Sequence, residues 1–256
     1  MNTSVSAVIK THKGHKSTKK KPALATSKLL LVPYSVHHVP IYHAWMQDPD
    51  LQAATASEPL SMDEEYAMQR SWRSDCDKLT FIICLPLAIV DSVKNLTPGV
   101  NDGPARMVGD INLFLFNDDG DGGDDKPAGS GPGAVVGEIE LMIARKELQR
   151  QGYGRAALLS FMHYILLVGR EAIIAEYCGL QPGRSLSYLR VKINQSNKRS
   201  IALFQSVGFV QTEEGANYFG EVELRFQVSD ATIERLQTVK KFETAVLLPY
   251  RHVKTI

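Results

Sequence analysis

The feature that most constrains this chain is a strand that leads through a glycine-containing turn directly into a long apolar helix. The strand ends at Ala144, the turn is QRQGYG at residues 149–154, and the helix follows at once. Glycines at the start of a helix let the backbone approach a ligand closely. The first N–H groups of a helix have no intrahelical partner, and they lie at the positive end of the helix dipole.

This turn predicts a binding site for a diphosphate group, because backbone N–H groups and the helix dipole both favour an anion there. The neighbouring arginines add positive charge. Two glycines alone could simply turn the chain, but the strand-to-helix context is the one that phosphate binding requires. The residues that we expect to contact a cofactor here are Gln149, Arg150, Gln151, Gly152, Tyr153, Gly154 and Arg155.

Hydrophobic periodicity predicts alternating strands and helices along the rest of the chain. Strands are predicted at residues 28–34, 79–90, 106–116, 135–144, 185–194, 209–214 and 221–229. Helices are predicted at residues 35–52, 61–75, 152–170, 196–207 and 230–241. Ser61 and Glu64 form a capping-box pattern at the start of the second helix. This order predicts an α/β (α+β) fold, in which a mixed sheet has helices on both faces.

The composition is that of one globular domain with flexible additions. Hydrophobic residues make up 44% of the 256 residues and the net charge is +1, so no nucleic-acid partner is indicated. Residues 1–27 are rich in Lys and lack acidic residues, which predicts a disordered basic arm. The domain is expected at 28–228, interrupted by a mobile Asp/Gly-rich loop at 117–134, and a helical segment and tail at 229–256.

No metal site and no membrane segment are expected. The histidines of the first helix lie close together, at His37, His38 and His43, but no neighbouring acid or cysteine frames them. The acidic loop lacks the spacing of an EF-hand. The three cysteines follow no metal-binding spacing: Cys76, Cys84 and Cys178. No apolar run is long enough to cross a membrane, and the sequence leaves the oligomeric state open.

Two segments resemble the signatures of the GNAT acetyltransferase superfamily. QRQGYG followed by RAALLSFM resembles its acetyl-CoA motif, whose loop holds the cofactor pyrophosphate, and SNKRSIALFQSVGF resembles its second signature. The resemblance implies a mainly antiparallel mixed sheet and acetyl-CoA as co-substrate. It also implies that the strand before the loop splays from its neighbour, that Met142 and Ile143 pair with the pantetheine arm, and that Asn197 contacts that arm.

A closer resemblance is to the N-acetyltransferase 9-like family, carried by LVPYSVHHVP, TASEPL, EEYAMQ, VGDINLFL and GEIELMIA. It implies acetylation of protein N-termini, with tubulin N-termini as the family's proposed substrate. The expected compartment is the cytoplasm, with the nucleus as a second one through the KKKP segment at residues 19–22. The Lys-rich arm either docks on an acidic partner, such as a microtubule surface, or is a solvated tail.

The candidate general bases are two glutamates on the strand before the turn. Because side chains alternate along a strand, Glu138, Glu140 and Met142 share one face. By spacing, Glu138 matches the base of histone-acetylating GNAT enzymes, and Glu140 is an equally good candidate by direction. Alternatively, both simply solvate an exposed face. Phe204 stands where many GNAT enzymes have a tyrosine that protonates the thiolate, and we expect it to pack in the core.

Glu58, in TASEPL between the first two helices, is a candidate to hold the acceptor amine, or an ordinary loop residue. An α-amine has a pKa near 7.8, whereas a lysine amine has one near 10.4, so N-termini need less help from a base. The sequence favours direct acetyl transfer to a protein amine. It leaves two alternatives open: a catalytically weak cytoskeletal binding protein with this fold, and a small-molecule amine acetyltransferase.

Overall fold

The structure, a computed structural model, describes residues 21–55, 57–88, 96–117, 134–179, 183–239 and 243–251. Within these ranges, nine strands form one sheet in the order β7-β8-β6-β5-β4-β3-β2-β1-β9. The strands are β1 (Ala23–Ala25), β2 (Leu30–Pro33), β3 (Lys78–Cys84), β4 (Met107–Asn117), β5 (Ala134–Ile143), β6 (Ser185–Asn194), β7 (Val210–Gln211), β8 (Glu221–Gln227) and β9 (Val246–Leu248). Neighbouring strands are antiparallel, except that β5 and β6 are parallel.

Seven α-helices in the described ranges pack on this sheet. They are α1 (Val39–Trp45), α2 (Pro49–Thr55), α3 (Met62–Ser74), α4 (Tyr153–His163), α5 (Arg170–Cys178), α6 (Lys198–Gln205) and α7 (Asp230–Gln237). The predicted mixed α/β architecture is therefore confirmed. The capping box is confirmed as well, because Glu64 N donates to Ser61 Oγ at 3.4 Å and Ser61 N donates to Glu64 Oε2 at 2.8 Å.

Two hydrophobic layers cover the two faces of the sheet. One contains Phe81 and Ile139 of the sheet with residues of α4, α5 and α6, among them Phe161. The other contains Val32 and Ile82 with residues of α1, α2 and α3. The two layers follow from the alternation of side chains along each strand, since consecutive residues point to opposite faces.

Both predicted ends of the domain need correction. Residues Ala23–Ala25 fall in the predicted arm, yet they form β1, are fully buried, and pair with β2. Residues Val246–Leu248 fall in the predicted tail, yet they form β9 and pair with β1. The predicted domain limits of 28 and 228 were therefore too narrow, because three-residue strands carry little periodicity of their own. Residues 1–20 and 118–133, which hold most of the arm and the Asp/Gly-rich loop, lie outside the described residues.

Two predicted elements are shorter than expected. The strand predicted at 79–90 ends at Cys84, because Pro86 cannot donate to a sheet and Arg106 binds the carbonyl groups of Leu85 and Pro86 at 2.9 and 2.5 Å. The helix predicted at 35–52 is divided into α1 and α2. Residues 89–90 lie outside the described ranges.

No single helix in the described ranges is long and apolar enough to cross a membrane. Two consecutive helical segments, Tyr153–Val168 and Arg170–Cys178, meet that test only when taken together, and they are bent by 73° where they join.

A buried hydrogen-bond cluster ties the C-terminal segment to the start of α1. Tyr250 Oη donates to Asp102 Oδ2 at 2.5 Å, and Gly99 N donates to Asp102 Oδ1 at 2.6 Å. His38 Nε2 lies 3.2 Å from Asp102 Oδ2. Because Ser35 N donates to His38 Nδ1 at 3.0 Å, the ring proton must be on Nε2, which donates to Asp102.

The sequence predicted that no acidic residue lies beside the histidines of the first helix, and this cluster shows that prediction to be wrong. Ligand atoms of His37, His38 and Asp102 lie within 4.8 Å of one another, a grouping that resembles a metal site. However, His38 Nε2 already carries a proton and donates it, so its lone pair is not available to a cation. Burial raises the pKa of Asp102, but the close contacts with His37, His38 and Tyr250 outweigh burial and hold that pKa well below its usual range.

We expect Tyr250→Phe to lower the free energy of unfolding by about 2 kcal/mol, because a hydrogen bond to a buried carboxylate is lost. Urea denaturation measures the change. Tyr218→Phe is the matched control, since Tyr218 is 96% exposed and its substitution should cost less than about 0.5 kcal/mol. Equal stability of the Tyr250→Phe variant and the wild type would show that the cluster does not hold the C-terminal segment.

Candidate active site

The turn before α4 presents unpaired backbone N–H groups, as predicted. Gly152 is the N-cap of α4 with φ of 88°, a left-handed conformation that favours glycine. The N–H group of Ala156 donates to the Gly152 carbonyl at 3.0 Å. The N–H groups of residues 152–155 precede this bond, so they have no partner within the helix. They lie just beyond the end of β5 and can bind an anionic ligand.

The loop leading to this helix is held in a strained conformation. Arg150 has φ of 61°, and it is the one non-glycine residue with positive φ in the described part of the chain. Gln149 Nε2 donates to the Ile143 carbonyl at 2.9 Å, and Gln151 Nε2 donates to the Glu147 carbonyl at 2.6 Å. The two glutamines therefore fix the loop, and strain of this kind is common at ligand-binding turns.

The remaining predicted residues of the turn have distinct environments. A Cβ atom on Gly154 would lie 3.4 Å from the Leu203 side chain of α6, about van der Waals contact. Tyr153 is buried, which leaves its backbone rather than its ring to face a ligand. The Arg155 guanidinium group donates to Ser206 just after α6, to the carbonyl oxygen at 3.4 Å and to Oγ.

Strands β5 and β6 separate halfway along their length. Their parallel pairing runs from Ala134–Ser185 to Glu138–Arg190 and then stops. Beyond that point, residues 139–143 of β5 remain paired with β4, while β6 continues to pair with β8 as far as Asn194. The backbone of β5 that faces the gap, including Met142 and Ile143, is thus open to an extended ligand. This is the splay that the resemblance predicted.

Asn197 stands at the start of α6, just after β6 ends. Its Oδ1 accepts a hydrogen bond from Ser200 N at 3.1 Å, so it is the N-cap of that helix. Its side chain is exposed. The structure therefore gives Asn197 a structural role at the edge of the gap, and the predicted contact with a cofactor arm remains a prediction.

The two candidate glutamates lie on the same face of β5 but differ in their surroundings. Glu138 Oε2 accepts a hydrogen bond from Arg190 Nε at 2.7 Å, and the two side chains are only 17% and 22% exposed. This partly buried ion pair occupies the Glu138 carboxylate. Arg190 was not identified from the sequence, because it lies 52 residues away.

Glu140 has no ion-pair partner among the described residues. Part of its side chain is exposed, yet enough protein surrounds it that desolvation raises its pKa to about 7, with further contributions from Asp110 and Glu138. A carboxyl group with this pKa changes protonation state near neutral pH, as a general base requires.

A buried carboxyl group on the neighbouring strand contributes to this effect. Asp110 of β4 is 2% exposed; it accepts hydrogen bonds from Asn112 Nδ2 at 2.8 Å and from Tyr42 Oη at 3.3 Å. Burial raises its pKa to about 6. Sequence reasoning missed Asp110 and Asn112. Because they are two residues apart on an otherwise apolar strand, their polar side chains must lie next to each other on the same face of the sheet.

Two further predicted residues lie apart from this cluster. Glu58 is exposed in the segment between α2 and α3, and no hydrogen bond or ion pair joins it to the described residues. Phe204 is 3% exposed and packs edge-on against Phe209 with ring centroids 5.0 Å apart, as expected of a core residue.

Comparisons with known proteins agree with this geometry. A family model described as an acetyltransferase (GNAT) domain matches residues 28–210. The N-acetyltransferase 9-like protein of Schizosaccharomyces pombe is 39% identical over 214 residues, which are 77% of this chain and 91% of the relative. The alpha/beta-tubulin-N-acetyltransferase 9 of Homo sapiens is 36% identical over 211 residues, which are 81% of this chain and 84% of the relative.

Solved structures show the same fold. The spermidine N-acetyltransferase of Vibrio cholerae, solved with CoA and spermine, superimposes with a TM-score of 0.52 at 14% identity; the match covers 78% of this chain and 94% of that one. The fold and the family match together define a GNAT acetyltransferase that uses acetyl-CoA. Within that class, the chain belongs to the N-acetyltransferase 9-like family.

We expect Arg150→Gly to raise the free energy of unfolding by about 0.5–1 kcal/mol, because glycine adopts positive φ without strain. Arg199→Gly is the matched control: Arg199 is exposed in α6, where glycine should cost about 1 kcal/mol. Chemical denaturation of both variants measures the two changes. The same sign for both would mean that the Arg150 backbone stores no strain.

Proposed function

We propose that this protein transfers the acetyl group of acetyl-CoA to the N-terminal α-amine of a protein, with Glu140 as the general base. The observation that carries the proposal is the contrast between the two glutamates of β5. Glu138 is occupied by Arg190, whereas Glu140 has no cation beside it among the described residues and a pKa of about 7. This contrast favours Glu140 over Glu138, although both were candidates on the sequence.

The gap between β5 and β6 fits the coenzyme. The N–H groups of residues 152–155 suit its diphosphate, with Arg150 and Arg155 adjacent. The open backbone at Met142 and Ile143 suits the amides of the pantetheine arm, and Asn197 lies at the gap's edge. The Gln149 amide now occupies the Ile143 carbonyl, so an arm that pairs with that carbonyl must displace it. When bound, the thioester supplies an activated acetyl group.

A residue of this chain then accepts the proton that the acceptor amine loses. The amine nitrogen attacks the thioester carbonyl, and the proton that it loses goes to Glu140. An α-amine, with its pKa near 7.8, is close to Glu140 in acidity, whereas a lysine amine near 10.4 is mismatched by about three units. Phe204 cannot protonate the leaving thiolate. A base of this strength therefore suits an N-terminus better than a lysine.

The acceptor that we favour is the N-terminus of tubulin, reached in the cytoplasm. This proposal is supported by the names of relatives at 36% and 39% identity, the alpha/beta-tubulin-N-acetyltransferases 9 of Homo sapiens and Drosophila melanogaster. Glu58 is proposed to approach the first residues of the acceptor, because it is exposed beside the helices that cover the Glu140 face.

We expect Glu140→Gln to lower kcat by ~100-fold or more, because a general base typically contributes at least that factor to the rate. Glu138→Gln is the matched control on the same face, and it should leave most of kcat in place. The KM for acetyl-CoA should change little in either variant. A larger loss with Glu138→Gln than with Glu140→Gln would reverse the assignment.

The rate should rise with pH through about 7 in the wild type, because Glu140 has a raised pKa and acts only when deprotonated. The dependence of kcat/KM on pH measures this limb. In Glu140→Gln the contribution of Glu140 should vanish, which leaves only the limb of the acceptor α-amine, whose pKa is near 7.8. A wild-type rate that is flat between pH 6 and about 8 would argue against a base with this pKa.

The acceptor class is tested with peptides that carry the N-terminal sequence of tubulin. A peptide with a free N-terminus should gain one acetyl group, as read by intact mass, and the same peptide with a blocked N-terminus should gain none, even when it contains lysine. Modification of the blocked peptide, or preference for a polyamine such as spermidine, would refute N-terminal specificity.

A further inference from the structure

Two arginines lie directly opposite each other on neighbouring strands of the sheet. Arg190 of β6 pairs with Arg225 of β8 in the antiparallel register. The side chains of such a pair share one face, and their Cβ atoms are about 5 Å apart. Like charges in directly opposite positions destabilise a sheet. A pair of arginines at this position therefore needs negative charge beside it.

The protein supplies that negative charge to only one nitrogen of each arginine. Arg190 Nε donates to Glu138 Oε2 at 2.7 Å, and Arg225 Nε donates to Glu223 Oε1 at 2.5 Å. A guanidinium group has five N–H donors. Among the described residues, no hydrogen bond uses the terminal nitrogens of either arginine. These nitrogens are not buried, so most donors of the pair face solvent.

Aromatic rings hold both guanidinium groups in place. The central carbon of the Arg190 guanidinium group lies 5.3 Å from the centre of the Phe116 ring, and that of Arg225 lies 4.5 Å from the centre of the Tyr188 ring. Stacking uses the flat face of a guanidinium group and leaves the N–H groups at its edge able to donate. Because the two side chains are already packed, binding a ligand costs them little rotamer freedom.

The arginines lie on a part of the sheet that α1, α2 and α3 do not cover. In the described part of the chain, no residue of β6 or β8 belongs to the hydrophobic layer formed with those helices. Glu140, the base that we propose, is exposed on the same face, two residues beyond Glu138. From the usual spacing along and between strands, the backbone of the two arginines lies roughly 8–12 Å from that of Glu140.

We propose that Arg190 and Arg225 form an anion subsite that binds the carboxylate of an acidic side chain in the second to fourth residue of the acceptor. This inference deepens the proposed function and rests on it. An acceptor whose α-amine lies at Glu140 reaches the arginines with two or three extended residues, at about 3.4 Å each. Guanidinium groups with open edges match the two oxygens of a carboxylate, which they bind with charge-assisted hydrogen bonds.

The charges around the pair also determine which acceptors the subsite rejects. A lysine or arginine at the same place in the acceptor meets two like charges, and a neutral amide gains no charge-assisted hydrogen bond. Lys192 of β6 is exposed nearby and lies opposite Glu223, so it adds no net attraction for a basic acceptor. The subsite therefore favours acidic residues over amide residues, and amide residues over basic ones.

A set of peptides tests this preference on the wild-type protein. The peptides share one parent sequence with a free N-terminus and no other acidic residue, and they carry Glu, Gln or Lys at the second, third or fourth position. At one of these positions or more, we expect a KM about tenfold lower for the Glu peptide than for the Gln peptide, with a similar kcat. The Lys peptide should have the highest KM. Equal kcat/KM for Glu and Gln peptides at all three positions would overturn the subsite.

Arg225→Gln tests which residue carries the preference. The KM for the Glu peptide should rise about tenfold, to that of the Gln peptide, because the carboxylate loses half of its donors. The KM for the Gln peptide and the KM for acetyl-CoA should not change. Arg235→Gln is the matched control, because Arg235 is exposed on α7 and its loss should leave the preference intact. Arg225→Glu should shift the preference toward the Lys peptide, a change that a purely structural role does not produce.

The outcomes separate the subsite from the proposed function. An Arg225→Gln protein that has the wild-type melting temperature and still prefers the Glu peptide would overturn the subsite. So would a higher KM for acetyl-CoA with the peptide preference intact, because the arginine would then serve a coenzyme phosphate. Equal acetylation of all peptides with free N-termini would remove the subsite and leave the proposed function standing. Acetylation of spermidine but of none of these peptides would remove both.

Discussion

The separation of β5 from β6 after the Glu138–Arg190 pair is the constraint on which the rest of the site depends. Up to that pair, the two strands share parallel hydrogen bonds; beyond it, β6 follows β8 and β5 stays with β4. The gap that results leaves backbone groups of β5 open beside Glu140. The open N–H groups at the head of α4 follow β5 after residues 144–152, so one divergence brings together both parts of the coenzyme site that we propose.

The same divergence gives two similar glutamates different chemistry. Glu138 stands at the last paired position, where Arg190 is directly across and forms an ion pair. Glu140, two residues further on, has no paired position in β6 to supply a cation. Its pKa rises because protein surrounds it and because Asp110 and Glu138 are close. A shift of two residues along a strand thus separates a structural carboxylate from one suited to proton transfer.

Local features of the fold could be predicted from the sequence, and long-range ones could not. The capping box of Ser61 and the turn at Gly152 depend on residues a few positions apart, and both are present. Strand β1 was missed because three residues carry little periodicity and because one of its two partners, β9, lies more than two hundred residues away. For the same reason, the sequence could not show that Asp102 frames His38, or which glutamate Arg190 occupies.

The pairing of β1 with β9 has a consequence for synthesis. The ribosome makes β1 more than two hundred residues before residues 246–248, its partner on the outer side, so this side of β1 stays open while the intervening residues are made. An open strand edge with buried, apolar side chains invites pairing with other chains. Contacts across such a sequence distance also form slowly. Nascent chains of this protein should therefore depend on chaperones until β9 is added, and C-terminal truncations before residue 246 should aggregate rather than yield a shortened domain.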